Sequence, residues 1–150
     1  MNLILWRHAD AEEGVPDRER RLSAKGRKQA RRAAAWLRKR LPRDVTVLSS
    51  PARRATETAA ALTDRYRAVA QLDTNACASE VLTAAGWPDG KGAVVVVGHQ
   101  PTLGRAAALA LTGAEADWRF RKGAIWWLER EADSEDGEVV LRAVISPDFL

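Results

Sequence analysis

A three-layer α/β/α sandwich, with a mainly parallel central sheet and a C-terminal antiparallel hairpin, is the fold this 150-residue sequence predicts. Three observations point to it. Short β-rich runs alternate with helical segments through the first three-quarters of the chain, the pattern of strands linked by crossover helices. The run Ala93 to Val97 is apolar without interruption, as a strand covered on both faces must be. The final forty residues instead hold two strand-like runs around Asp136-Gly137, the signature of a hairpin at a sheet edge.

The elements follow in order. Asn2 to Arg7 reads as the first strand. Ser23 is a suitable N-cap for a helix reaching Leu41, in which Ala30, Ala34, Leu37 and Leu41 share one face and Arg and Lys the other; Pro42 ends it. Val45 to Ser49 is a short strand, and Ser50-Pro51 opens a helix with Ala55, Ala59, Leu62 and Tyr66 at helical spacing. A weaker helix covers 78 to 86, before the turn residues Gly86, Pro88, Gly90 and Gly92. After the Ala93 strand, Pro101 starts a helix carrying Leu103, Ala107, Ala110 and Leu111 that stops near Gly113. Ala124 to Arg130 and Glu138 to Ile145 form the hairpin, joined by an acidic turn, with one of Trp126 and Trp127 facing the core and the other exposed. No repeat, low-complexity tract or linker interrupts residues 1 to 150, so a single domain is expected.

Composition narrows the function classes. One cysteine, Cys77, excludes an internal disulfide, and two histidines with one cysteine fall short of the usual four-ligand zinc set, so no metal or other cofactor is expected. The opening MNLILWRHAD holds too few apolar residues for a signal or membrane segment, which predicts a cytoplasmic protein without a membrane partner. Residues 18 to 43 contain twelve Lys or Arg and one acid, Glu19, a net of +11; with the whole chain at +4, the remainder carries −7, much of it in residues 129 to 138. That basic stretch lacks interleaved aromatics apart from Trp36, which speaks against nucleic acid and for a solvated helix face.

The chemistry converges at strand ends. His8 follows the first strand, Arg54 the second across a short turn, and His99 the third. In open α/β sheets the carboxyl ends of the strands form the ligand crevice, and helix starts near Pro51 and Pro101 direct N–H groups toward it. Both of the chain's histidines occupy this edge, one beside Arg7 and the other within Gly-His-Gln-Pro. Together they form an anion site suited to phosphate.

Four segments carry a family resemblance: LILWRHADA (3 to 11), RLSAKGRKQA (21 to 30), SSPARRATETA (49 to 59) and VVVVGHQP (94 to 101). In this order they resemble the motifs of the histidine phosphatase superfamily, phosphoglycerate mutase-like in fold, and within it the short SixA-like phosphohistidine phosphatases. FRKGAIWWLE and the closing SPDFL are similar to the same group. The resemblance implies that His8 is a transiently phosphorylated nucleophile, that Arg7 and Arg54 grip the phosphoryl oxygens, that His99 completes the pocket, and that no metal is needed. Flanking arginines are expected to lower the His8 pKa, keeping it a nucleophile near neutrality.

Several positions stay open. Arg53 and Arg54 adjoin, and the family pattern, with its arginine directly before alanine, selects Arg54. Arg21 either reaches the mouth of the site to touch substrate or is one more surface charge. Ser50 and Thr58 read as structural hydroxyls near a helix start. Ala9 stands where many family members carry glycine; SixA-like chains often have alanine there.

The substrate follows from what the chain lacks room for. Larger relatives carry an insertion that builds a lid and supplies an acidic proton donor, whereas forty-four residues separate Arg54 from His99 here. Glu80 is the candidate stand-in donor at the substrate site. An alkoxide leaving group needs a proton, whereas imidazole, with a pKa of about 6.5, leaves readily. The expected substrate is therefore phosphohistidine on a protein, such as an acidic phosphocarrier domain attracted by the basic segment. The alternatives are a general phosphomonoesterase acting on small phosphate esters and a non-catalytic module that binds phosphoproteins.

Overall fold

The computed structural model describes residues 1–132 and 136–150. Its centre is one six-stranded sheet: β1 (Asn2–Arg7), β2 (Thr46–Ser49), β3 (Arg67–Ala68), β4 (Ala93–Gly98), β5 (Ile125–Arg130) and β6 (Val139–Ile145), in the order β3-β2-β4-β1-β5-β6. The pairs β2/β3, β2/β4 and β1/β4 run parallel, and β1/β5 and β5/β6 antiparallel. The predicted hairpin thus forms one edge. The sharp alternation along β1 separates the layers. Leu3 and Leu5 join Val94 and Val96 against α3 (Ala78–Ala85) and α4 (Thr102–Thr112). Ile4 and Trp6 join Val95 and Val97 against α1 (Ala24–Arg38) and α2 (Arg53–Leu62). A strand with both faces covered must be apolar at every position, which is why β4 is buried from end to end.

Helix faces explain the fit. Ala30, Ala33, Ala34 and Leu37 are the buried stripe of α1, and Ala55 and Ala59 that of α2; such small side chains let both helices lie close to the sheet. Ser23 caps α1 as predicted, its hydroxyl accepting from the Gly26 N–H at 3.0 Å. Gly113 ends α4 in the left-handed conformation (φ 80°). Among the described residues, no helix is long and apolar enough to cross a membrane.

The structure departs from the local expectations at several places: α2 ends at Leu62, so Tyr66 lies beyond it. Pro51 lies outside α2, whose first turn begins at Arg53 with Ala52 as N-cap, so the Ser50-Pro51 pair forms the strand-to-helix bend. α1 ends at Arg38, three residues before Leu41, because Lys39 and Arg40 already turn the chain toward Pro42. The short strand β3 had no sequence signal, being two exposed residues added at the sheet edge. Trp126 and Trp127 are both engaged: Trp126 stacks on Trp118 and Phe120 (5.7 and 4.7 Å between ring centroids), and Trp127 meets Trp36 edge-on at 6.2 Å. Part of the acidic stretch 129 to 138 lies outside the described residues.

Candidate active site

β2, β4 and β1 are neighbours and parallel, so their carboxyl ends open on one edge of the sheet. His8 is the first residue beyond β1 and His99 the first beyond β4, while Arg54 enters from the first turn of α2. The ladder continues into the site: the His8 N–H donates to the Gly98 carbonyl at 3.0 Å and the Ser50 N–H to the Val97 carbonyl at 2.9 Å. The two imidazoles come to rest 5.2 Å apart, centroid to centroid, at 55°. His8 and His99 are thereby placed by strand register, and Arg54 by the first turn of α2.

The tautomer of His8 follows from its partner. Its Nδ1 lies 2.8 Å from the Ala9 carbonyl oxygen, which can only accept, so Nδ1 carries the proton and Nε2 keeps a lone pair. Burial pushes the His8 pKa down to about 3, with further lowering from His99, Arg54 and Arg7, in that order, against an opposing effect of the Ala9 hydrogen bond. The flanking arginines do contribute, but desolvation is the larger cause. His99 is lowered to about 4, first by burial and then by Arg54, while Asp73 and Asp17 act to raise it. Its Nε2 is 2.7 Å from the Ser50 hydroxyl. Both rings are therefore neutral at neutral pH.

The two arginines are anchored to different loops. Arg7 Nη1 donates to the Phe120 carbonyl at 2.8 Å, and the Phe120 ring is fixed by its stack on Trp126. Burial and the neighbouring Arg119 lower the Arg7 pKa. Arg54 donates from Nη1 to the Asp17 carbonyl (3.0 Å) and from Nη2 to the Asp17 carboxylate (3.1 Å). The Nε atoms of both arginines are buried donors without a protein acceptor among the described residues. Buried donors rarely go unpaired, and an oxyanion would supply the acceptors.

Other sequence candidates land in varied places. Arg53 is exposed and pairs with Glu57 at 3.5 Å, leaving Arg54 as the buried arginine. Arg21 is exposed and pairs with Glu12 at 2.7 Å. Glu80 is exposed and accepts from the Cys77 N–H at 2.8 Å, closing the first turn of α3. That bond holds its carboxyl below the usual range, the opposite of what a leaving-group acid needs. Ala9 is fully buried with Leu22 and Ala30, so its methyl group belongs to the packing under α1. Its N–H donates to Thr58 at 3.0 Å, and Thr58 donates in turn to the Arg54 carbonyl at 2.7 Å, which makes Thr58 a brace between the His8 and Arg54 segments.

Sequence reasoning missed Asp17, Asp73 and Phe120, and underrated Ser50. Asp17 sits in an acid-rich loop where nothing in its spacing marks it; Phe120 acts through a backbone atom that any residue possesses. Only Ser50, at a strand end beside the motif proline, carried a usable signal.

The family model of the histidine phosphatase superfamily (branch 1) matches residues 3–81, just over half of the chain and including His8, Arg7 and Arg54. The chain belongs to the histidine phosphatase superfamily. Several solved structures share its fold from end to end. The protein histidine phosphatase SixA in complex with tungstate superposes with a TM-score of 0.81 at 24% identity, covering 99% of each chain. A protein from Nakamurella multipartitia assigned as a phosphohistidine phosphatase SixA gives 0.77 at 29% identity, covering 97% of this chain and 95% of that one. A phosphoserine phosphatase mutant from Entamoeba histolytica gives 0.72 at 16% identity, covering 99% and 98%. No curated protein sequence matches significantly. Membership in this superfamily supports phosphatase activity, and the fold is phosphoglycerate mutase-like.

Proposed function

We propose that this histidine phosphatase removes phosphate from phosphohistidine on a protein, through a phospho-His8 intermediate. The observation that carries the reading is the protonation geometry of His8: a buried, neutral ring whose Nδ1 proton is held by the Ala9 carbonyl, leaving Nε2 free to attack. In the first step the Nε2 lone pair forms a bond to phosphorus while the P–N bond to the substrate imidazole breaks. The substrate's departing nitrogen keeps the electron pair, and a proton on its other nitrogen makes the leaving group neutral imidazole. Phospho-His8 retains its Nδ1 proton, whose bond to Ala9 stabilises the new cationic ring. Arg7 and Arg54 hold the phosphoryl oxygens as charge spreads over them. Water then attacks phosphorus, the P–Nε2 bond breaks, the electron pair returns to His8, and the water protons stay with the phosphate released. His99, held by Ser50, lines the pocket as a neutral hydrogen-bonding group.

This exchange of one imidazole for another requires no strong acid, which suits a site whose sequence-candidate acid, Glu80, is tied into a helix cap. The reading is supported further by the similarity to SixA structures. The test compares a phosphohistidine protein, para-nitrophenyl phosphate and a sugar phosphate as substrates of the wild type and of His8→Ala. Rapid turnover of the phosphoramidate, with an acid-labile phosphoenzyme that disappears in His8→Ala, is the expected result. Equal hydrolysis by both proteins would remove His8 as nucleophile, and strong turnover of esters without phosphohistidine turnover would make the protein a phosphomonoesterase.

A further inference from the structure

A groove beside Arg7 carries five cations against two carboxylates among the described residues. It is lined by Arg7, Lys25, Arg119, Arg121 and Lys122, with Gln29 and Phe120 between them, and by two carboxylates, Asp10 and Asp148. Asp10 is spent on Lys122 (2.9 Å) and on the Ser23 hydroxyl (2.6 Å). Lys25, Arg119 and Arg121 are exposed, and among the described residues none of them has an ion pair. Like charges gathered in this way repel one another; the lowering of the Arg7 pKa by Arg119 records that repulsion. The cost is tolerable on a surface and is repaid when an anionic partner arrives.

We propose that this groove receives an acidic segment flanking the phosphorylated side chain of the protein substrate; the proposal rests on the phosphohistidine reading above. Three features favour a polypeptide carboxylate cluster as the occupant. The groove shares Arg7 with the phosphate clamp, so a segment lying in it is continuous with a phosphoryl group held at His8. Its cations come from three separate stretches, the end of β1, the start of α1 and residues 119–122, which spreads them along a path. Their long, exposed side chains suit several separate carboxylates on a flexible chain. The specificity charge is thus concentrated at Lys25 and residues 119–122, and the outer face of α1 is a solvated surface.

The test uses the double variant Lys25→Ser/Arg121→Ser, which leaves the phosphate clamp, Arg119 and the Lys122–Asp10 pair untouched. Substrates are two phosphohistidine peptides, one flanked by Asp and Glu and the other by Asn and Gln, with para-nitrophenyl phosphate as reference. The wild type is expected to favour the acidic peptide by about tenfold in kcat/KM, expressed in KM and weakened by salt. The double variant loses that preference and hydrolyses para-nitrophenyl phosphate as before. Equal use of both peptides by the wild type, or a preference that survives in the variant, overturns the groove. Should the wild type turn over neither peptide, the phosphohistidine reading falls, and the groove is then judged by anisotropy with a labelled, unphosphorylated acidic peptide. Weaker binding by the double variant upholds it; equal binding, or displacement by a nucleoside diphosphate alone, overturns it.

Discussion

The two loops that anchor Arg54 and Arg7 are both rich in arginine, and they treat charge in opposite ways. Around the anchor of Arg54, each cation has a carboxylate: Arg18 with Asp73, Arg20 and Arg54 with Asp17, Arg21 with Glu12, Arg53 with Glu57. Around the anchor of Arg7, Arg119 and Arg121 have none among the described residues, and neither does Lys25 across the groove. The first loop is a closed electrostatic system that holds Arg54 still. The second is open and available to a partner. Net charge alone conceals this, because the basic segment 18 to 43 supplies ion-paired cations, Arg18, Arg20 and Arg21, as well as one of the groove's cations, Lys25.

The most severe way to break the comparison is to remove what both loops serve. His8→Ala is expected to lower kcat by about four orders of magnitude, measured by single-turnover kinetics, whatever the charge around it. Next come the clamps themselves. Arg7→Gln and Arg54→Gln are each expected to cost roughly 10²–10³ in kcat/KM. The closed loop contributes through Asp17, whose carboxylate engages Arg54 Nη2; if phosphate binds Arg54 as proposed, Asp17→Asn should lower the inhibition constant of inorganic phosphate by roughly a few-fold. An unchanged constant would show that the Asp17 carboxylate does not restrain Arg54.

Protonation sharpens the comparison further. The folded-state pKa values of His8 and His99, about 3 and about 4, lie below the ordinary 6.5. As pH falls below about 6.5 the unfolded chain takes up protons that the folded chain refuses, so stability declines progressively toward pH 4 and then 3. With two histidines in the chain, their imidazole NMR signals should stay flat from pH 8 to 5; a titration near 6.5 for either would contradict its buried, neutral state. Gly26→Ala comes next: a Cβ there would run into the Asp10 carbonyl, so a loss of about 1–3 kcal/mol in denaturant unfolding is expected. The smallest effects belong to exposed groups. Arg21→Ala and Glu80→Gln should each leave KM within about twofold and turnover unchanged, since both side chains serve surface structure.

Most of the frame was legible because it depends on local periodicity and on burial. Val94 to Val97 announces a central strand, Ser23 announces the start of α1, and the strand-end positions of His8 and His99 place them on one edge once the sheet is parallel. What escaped was set by distant partners. Whether Pro51 stands inside α2 is decided by the bend that brings Ser50 to His99, forty-nine residues away. The sequence singled out Arg54 but could not show Asp17 beneath it, or the carbonyl of Phe120 under Arg7. The charge imbalance at residues 119–122 was hidden because the pairing of each cation is a tertiary property.

The anchoring of Arg7 by Phe120 has a consequence for how the protein comes to exist. Arg7 and Phe120 are separated by 113 positions, and the hydrogen bond between them waits until the chain has been made as far as residue 120. A nascent or truncated chain that already contains His8, Arg54 and His99 therefore lacks the support for one of its two clamps. On the function proposed above, competence for phosphoryl transfer is acquired late, once residues 119–122 have closed over Arg7.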